Sequence, residues 1–164
     1  MQRALKEAMT WLARQPRTLF VGQGVEAGGT KQSDSLADVP GNLRLEFPVA
    51  ENLQLGFCTG LSLEGWIPIS LFPRWNFLLL AADQLVNHLD RIPLYSGYRP
   101  KVIVRVAVGG NKPLDPGFQH QDDFTGAFKL MLKTIDVVRL TKPDEVLPAY
   151  QAAYRSEKST ILVE

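Results

Sequence analysis

Hydrophobic and polar positions follow two different periods along the chain. Residues 2–14 carry Leu5, Met9 and Leu12 at helical spacing, which predicts an amphipathic helix. Residues 18–21 form a short apolar run, which predicts a strand. The same two patterns predict further strands at 43–47, 66–72, 101–108, 135–140 and 160–163, and further helices at 50–63, 75–90, 124–132 and 143–156.

The predicted strands and helices alternate almost from one end of the chain to the other. Such alternation is typical of a three-layer α/β domain, with a mainly parallel sheet and helices on both faces. The strand at 101–108 is a nearly continuous run of Val and Ile, as expected for a strand buried deep in a parallel sheet. We expect residues 1–164 to form a single domain of this class.

Four loops follow predicted strands and are therefore candidates for a ligand site. Ligands of parallel α/β sheets gather at the carboxyl ends of the strands, where these loops meet. The candidate loops are residues 22–29, 47–51, 72–77 and 109–122.

Composition narrows the class of protein. The formal net charge is +1, so bulk charge does not favour nucleic acid or an anionic membrane. A single cysteine, Cys58, cannot form an internal disulfide, which fits a reducing compartment. The amino-terminal residues lack the apolar core of a signal peptide, and the longest apolar run, 77–82, is far shorter than the ~20 residues that span a bilayer. We expect a protein of the cytoplasm or of an organelle matrix.

A glycine-rich turn follows the first predicted strand. Gly22, Gly24 and Gly28 approximate the dinucleotide fingerprint GxGxxG, but Ala27 stands where the third glycine belongs. No helix is predicted directly after the turn, although the fingerprint uses a helix amino terminus to bind the pyrophosphate. A tight turn after a strand is the simpler interpretation, with nucleotide binding as the alternative.

Two candidate site residues open predicted helices. Glu51 starts the helix at 50–63, where a carboxylate often only complements the positive helix end. Because this helix is largely apolar, Glu51 is also expected beside a cleft with little water, where a carboxylate can share a proton with a ring nitrogen. Phe77 starts the next helix, where an aromatic ring either packs in the core or stacks on a planar ligand.

His120 lies in a polar loop rather than on an apolar helix face. A histidine in such a position either moves protons or binds a substrate anion, or is an ordinary surface residue. The chain has one Cys and two widely spaced His, so a structural zinc site is not expected and we predict no metal ligands in this chain.

Five short stretches occur in a fixed order along the chain: 28–30 (GGT), 47–56 (FPVAENLQLG), 72–77 (FPRWNF) running into 82–87 (ADQLVN), 95–97 (YSG) before the strand residues 102–105 (VIVR), and 117–121 (GFQHQ). Together they resemble the transketolase-like pyrimidine-binding domain of thiamine diphosphate-dependent enzymes. Among these enzymes, the resemblance is greatest to the beta subunits of 2-oxo acid dehydrogenases, and it covers about residues 15–164. It implies the thiamine diphosphate-binding fold.

The resemblance also implies a role for each matching position. Glu51 falls where a family glutamate contacts the pyrimidine ring nitrogen and promotes the imino tautomer of thiamine diphosphate. Phe77 falls where an aromatic ring packs on the pyrimidine. Pro73 and Leu80 take neighbouring pocket positions, at which dehydrogenase subunits often have a larger and a polar side chain, respectively. His120 matches a histidine at the mouth of the active site, associated with substrate or acyl transfer.

The resemblance implies that a second polypeptide is needed. The diphosphate half of the family carries a Gly-Asp-Gly segment that helps to hold magnesium and the diphosphate, and no such segment occurs here. The family's C-terminal domain is also missing from these 164 residues. We therefore expect a separate chain that carries the diphosphate-binding domain and Mg²⁺, a homodimer or heterotetramer as the assembly, and no activity from this chain alone.

Three functional hypotheses follow. The first is a subunit of a thiamine diphosphate enzyme that acts on a 2-oxo acid or a ketose, by decarboxylation, acyl transfer or ketol transfer. The second is a non-catalytic binding or regulatory module that keeps the fold. The third is a nucleotide-binding α/β protein that uses the loop at 22–29.

Overall fold

Six strands form one sheet in the computed structural model, which describes residues 1–110 and 115–164. Every pair of neighbouring strands is parallel, and the spatial order is β2-β1-β3-β4-β6-β5. The strands are β1 (Thr18–Gly22), β2 (Arg44–Glu46), β3 (Ile67–Phe72), β4 (Ile103–Val106), β5 (Asp136–Arg139) and β6 (Thr160–Val163). The predicted strands are all present, and each is within three residues of the expected bounds.

Helices occupy the connections between these strands. The α-helices are α1 (Gln2–Ala13), α2 (Lys31–Asp34), α3 (Glu51–Leu63), α4 (Trp75–Leu78), α5 (Ile92–Tyr95), α6 (Thr125–Met131) and α7 (Pro143–Arg155). Within the described residues, none of the helices is long and apolar enough to cross a membrane.

The sheet has a hydrophobic core on each face, which confirms the predicted three-layer α/β class. Val104 and Val106 of β4 point to one face, where α3, α4 and α6 contribute buried side chains. Ile103, between them, points to the other face, which α1 and α7 cover. Because both faces are covered, the central strand β4 is buried along its whole length.

The prediction of one long α-helix at 75–90 was wrong. The segment begins as α4, tightens into a 3-10 turn at Leu79–Ala81 and widens into a π-helix at Gln84–Leu89. The winding follows the spacing of the buried side chains, which is three residues at first and four residues afterwards. The buried positions are Trp75, Leu78, Ala81, Leu85 and Leu89. The changes of pitch leave this stripe of side chains on the core.

The connection between β1 and β2 contains the four-residue helix α2, which begins nine positions after the end of β1. Gly24 adopts a positive φ of 65° in the turn between them. The helix that a dinucleotide fingerprint needs directly after its glycines is therefore not there. In the candidate loop at 109–122, residues 111–114 lie outside the described residues, and Phe118–His120 forms a 3-10 turn.

Candidate functional site

Glu51 is the first residue of α3, a short connection beyond the carboxyl end of β2. Only 5% of it is exposed. The Gln23 side chain, just beyond the carboxyl end of β1, donates a hydrogen bond from Nε2 to Glu51 Oε1 at 3.2 Å. Parallel strands thus bring together two polar side chains that are 28 positions apart. A buried carboxylate with a neutral donor is an arrangement suited to proton exchange with a ligand.

Gln54 fixes the first turn of α3 on the sheet. Its side chain is 1% exposed, and its Nε2 donates to Ser70 Oγ and to the Leu71 carbonyl oxygen, each at 3.0 Å. The same nitrogen lies 3.4 Å from the Val21 carbonyl oxygen. These contacts connect the helix that carries Glu51 to the carboxyl-terminal parts of β1 and β3.

Cys58 lies one helical turn after Gln54 and is fully buried. Burial raises the pKa of its thiol to about 12, although a hydrogen bond with Ser70 acts in the opposite direction. The thiol is therefore neutral at physiological pH and is not a nucleophile.

Phe77 and His120 are in contact although they come from different loops. Their rings stack with centroids 5.0 Å apart and an angle of 27° between the planes. Arg74 supports the histidine turn, since its Nη1 donates to the His120 carbonyl oxygen at 3.3 Å. Nδ1 of His120 is buried and has no hydrogen-bond partner within residues 1–110 and 115–164. An imidazole nitrogen in this state is available to a ligand or to a proton.

Pro73 lines an open cleft of about 720 Å³ at the carboxyl end of the sheet. Gln23 lines the same cleft, so Pro73 and the donor to Glu51 face one space. Arg74 also borders it, which joins the cleft to the Phe77–His120 pair. A buried ion pair closes another side, where Arg105 Nη2 lies 2.7 Å from Glu164 Oε1.

Leu80 lies apart from this cleft. It belongs to the 3-10 turn that packs against α3, and 62% of it is exposed. Leu79 beside it and Leu53 on α3 are also exposed, 40% and 59% respectively. In this chain Leu80 is thus part of an apolar surface beside the helix that carries Glu51.

The five predicted residues therefore occupy four places. Glu51 lies with Gln23, and Phe77 stacks on His120. Pro73 lines the cleft, whose lining also includes Gln23 and Arg74, and Leu80 is on the surface. Among the residues that the structure describes, no group of three or more His, Cys, Asp or Glu is placed to hold a metal ion.

Sequence reasoning missed Gln23 and Gln54. Gln54 had a usable signal, because it stands three positions after Glu51 and so shares its side of a largely apolar helix. Gln23 had none, since its contact with Glu51 depends on the pairing of β1 with β2.

Comparison with known proteins identifies relatives by sequence and by fold. No family model matches the chain. A chloroplastic pyruvate dehydrogenase E1 component subunit beta-3 of Arabidopsis thaliana is 30% identical over 169 residues, which cover 100% of this chain and 40% of that protein. A 3-methyl-2-oxobutanoate dehydrogenase subunit beta of Mycobacterium tuberculosis is 36% identical over 92 residues, 54% of this chain and 26% of the relative.

Solved structures agree on the fold. A split-gene transketolase, described as an inactive beta4 tetramer, superposes with a TM-score of 0.77 at 17% identity, over 99% of this chain and 50% of its own. The chain thus spans half or less of the length of these relatives. The predicted resemblance is confirmed: this chain has the transketolase-like fold expected of a pyrimidine-binding domain, and its sequence relatives are beta subunits of 2-oxo acid dehydrogenases.

Proposed function

We propose that this chain is the pyrimidine-binding subunit of a split thiamine diphosphate-dependent enzyme. The substrate is a 2-oxo acid or a ketose, and the reaction is decarboxylation, acyl transfer or ketol transfer. The observation that carries the proposal is Glu51, a carboxylate that is 5% exposed at the first residue of α3 and held by an amide donor. The pyruvate dehydrogenase and transketolase names of the relatives favour this chemistry over other uses of the fold.

The residues present fit the aminopyrimidine ring of the cofactor. Glu51 offers a buried carboxylate for a ring nitrogen, and Pro73 lines the adjoining cleft. Phe77 is partly buried and stacks on His120, which places an aromatic ring next to the predicted histidine. Thiamine diphosphate, when bound, supplies a thiazolium carbon that adds to carbonyl groups and acts as an electron sink.

Glu51 exchanges a proton with the ring nitrogen in this proposal. Its low exposure excludes water, which strengthens the interaction between the carboxylate and a ring that it protonates. Gln54 prevents the first turn of α3 from moving, because its amide is bonded to two strands of the sheet.

His120 acts at the mouth of the site in this proposal. Its Nδ1 lacks a partner among the described residues, while Phe77 and Arg74 hold the ring and the backbone in place. A fixed imidazole with a vacant nitrogen can move a proton to a substrate or bind a substrate anion.

The other half of the site belongs to a separate chain in this proposal. That partner carries the diphosphate-binding domain and Mg²⁺. The names of a pyruvate dehydrogenase subunit and of a split-gene transketolase among the similar proteins support a site divided between chains. By itself this chain is inactive. The description of the split-gene transketolase beta4 tetramer as inactive supports that expectation.

We further propose that two copies of this chain pair within a homodimer or heterotetramer. The support is the apolar surface formed by Leu53, Leu79 and Leu80, which is exposed on both α3 and the segment packed against it. Exposed apolar patches of this kind mark association surfaces. A second copy of the chain presents the same apolar surface, so the two surfaces can pack against each other. The interface then lies beside Glu51 of both chains.

Native mass spectrometry of the protein isolated gently from its source tests the proposed function. We expect a complex that contains a second chain with a Gly-Asp-Gly segment, thiamine diphosphate and magnesium. A bare monomer or homodimer that stays bare in excess cofactor and magnesium would favour the non-catalytic module. Binding of a nicotinamide nucleotide without thiamine diphosphate would favour the nucleotide-binding alternative.

A further inference from the structure

Gln23 forms a hydrogen bond with Glu51, and the proposed cofactor role of Glu51 assigns no function to this glutamine. Nε2 of Gln23 donates to Oε1 of Glu51 at 3.2 Å. Within residues 1–110 and 115–164, it is the one side chain that donates a hydrogen bond to this carboxylate. Because Glu51 is 5% exposed, bulk water competes little with the amide for the carboxylate oxygen.

The turn that carries Gln23 is held from two directions. Gln32 Nε2 donates to the Gln23 carbonyl oxygen at 2.8 Å. On the other side the Glu46 carboxylate at the end of β2 accepts from the backbone N–H groups of Gly24, at 2.5 Å, and Glu26, at 2.9 Å. The backbone at residue 23 is therefore placed independently of Glu51, and its side chain reaches the carboxylate from a fixed base.

The approach of β1 to β3 also depends on a glycine immediately before Gln23. A Cβ at Gly22 would lie 2.6 Å from the Leu71 carbonyl oxygen, closer than real Cβ atoms come. Strand β1 can therefore end this close to β3 only with glycine at position 22. Gln23 follows directly, and from this position its side chain reaches Glu51.

An amide differs from the other donors that a protein could place here. It carries no charge and does not titrate, so it orients the carboxylate without taking its proton. A hydrogen bond to the ionised form of a carboxylate also makes protonation harder. One oxygen is occupied by the amide, and the other is left for the ring nitrogen of a ligand.

We propose that Gln23 is a positioning residue for Glu51: its amide fixes the orientation of the carboxylate and determines which oxygen is left free. The cofactor role of Glu51 rests on the proposed function, whereas the effect of Gln23 on the carboxylate does not.

Other charged groups surround the turn and have to stay constant in a test. Glu46 bonds to the turn itself, and four more charged side chains line the cleft that Gln23 borders. These four are Lys31, Arg74, Arg105 and Glu164. A neutral replacement of Gln23 leaves all of them in place, so a change in the carbon NMR signal of the Glu51 carboxyl group then reports the lost amide.

The first test measures the Glu51 carboxyl by carbon NMR in the chain labelled at glutamate side chains, with Glu51→Gln to assign the signal. In Gln23→Met, which keeps the length and removes the donor, we expect the Glu51 carboxyl signal at neutral pH to move from its wild-type position, because the hydrogen bond to Oε1 is lost. Gln151→Met on α7 is the control and should leave the signal unchanged.

The second test measures kcat and KM in the complex with the partner chain, thiamine diphosphate and Mg²⁺. We expect kcat to fall in Gln23→Met with KM little changed, and both to keep their wild-type values in Gln151→Met. An unchanged Glu51 signal in folded Gln23→Met, checked by thermal melts, overturns the inference. A shifted signal in a complex that never binds thiamine diphosphate supports the role of Gln23 and refutes the proposed function instead.

Discussion

The helices α3 and α7 make an informative pair. Both have 13 residues, and both follow a strand or a short connection at the carboxyl end of the sheet. They cover opposite faces of it, since α3 belongs to one core and α7 to the other. Each also has an acidic residue in its first turn, Glu51 in α3 and Glu145 in α7.

The two carboxylates do different things. Glu145 bonds back to the start of its own helix, where Oε2 accepts from the backbone N–H groups of Thr141, at 2.9 Å, and Lys142, at 3.1 Å. These hydrogen bonds hold the pKa of Glu145 below its ordinary value. Glu51 is buried and accepts from Gln23 instead, while no side chain caps the start of α3. Glu145 therefore stabilises the start of its own helix, whereas Glu51 is buried and does not cap α3.

The buried faces of the two helices differ in the same way. The residues that α7 buries are largely apolar: Val146, Tyr150 and Ala153. Those of α3 include several polar groups: Glu51, Gln54, Thr59 and Ser62, together with Leu55 and Cys58. Burying polar groups costs stability unless each finds a partner. Each of these polar side chains has a hydrogen-bond partner, so α3 is held by polar contacts where α7 relies on apolar packing.

The largest expected effect is on turnover, and it distinguishes Glu51 from Glu145. Glu51→Gln should lower turnover of the assembled enzyme by about 10²–10⁴-fold, because the amide cannot exchange a proton with the ring. Glu145→Gln is the matched change on α7 and should leave turnover unchanged. The measurement is kcat with the partner chain, cofactor and Mg²⁺. Equal losses in both variants would contradict the distinction between the two helices.

The next effect concerns stability. Gln54→Leu removes a donor that serves Ser70 and the Leu71 carbonyl oxygen, so it should destabilise the chain by about 1–3 kcal/mol. Gln151→Leu on α7, where the side chain is only partly buried, should change stability by less than about 0.5 kcal/mol. Urea denaturation of the isolated chain compares the two. If Gln54→Leu were as mild as Gln151→Leu, the amide would not anchor α3.

A smaller effect is expected at the buried polar group of α7. Tyr150 is 0% exposed, and its hydroxyl has no hydrogen-bond partner in the part of the chain that the structure describes. Tyr150→Phe removes a hydroxyl that gains nothing from burial, so stability should stay the same or rise by about 0.5 kcal/mol. The same denaturation experiment measures it. A loss above about 1 kcal/mol would show that the hydroxyl is bonded after all.

The smallest effect is the pH dependence of the α7 cap. Because folding lowers the pKa of Glu145, its contribution to stability is present above the ordinary value of 4.5 and is lost as the pH falls through the lowered folded value. The difference in Tm between the wild-type chain and Glu145→Gln should therefore shrink as the pH falls from 7 to 3. Thermal melts at intervals of half a pH unit measure this. A difference that stays constant over that range would show that the ionised carboxylate contributes nothing.

The fold was largely predictable from the sequence, and the site only in part. Local apolar periods identified the six strands and the helices α1, α3, α6 and α7, since each buries one stripe or face in a regular pattern. The segment at 75–90 was misjudged, because apolar spacings of three and four residues average to an α-helical pattern. The position of Glu51 at a helix start was a local feature and is confirmed, whereas its proposed role came from the resemblance to the family.

The sequence by itself determined the alternation of strands and helices, the burial of β4 and the carboxylate that opens α3. Only the tertiary structure decided which side chains meet that carboxylate and which surround His120. Those contacts join residues 28 positions apart in one case and 43 in the other, Gln23 with Glu51 and Phe77 with His120. Strand order and pairing create them, and no local period of the sequence records which strands become neighbours.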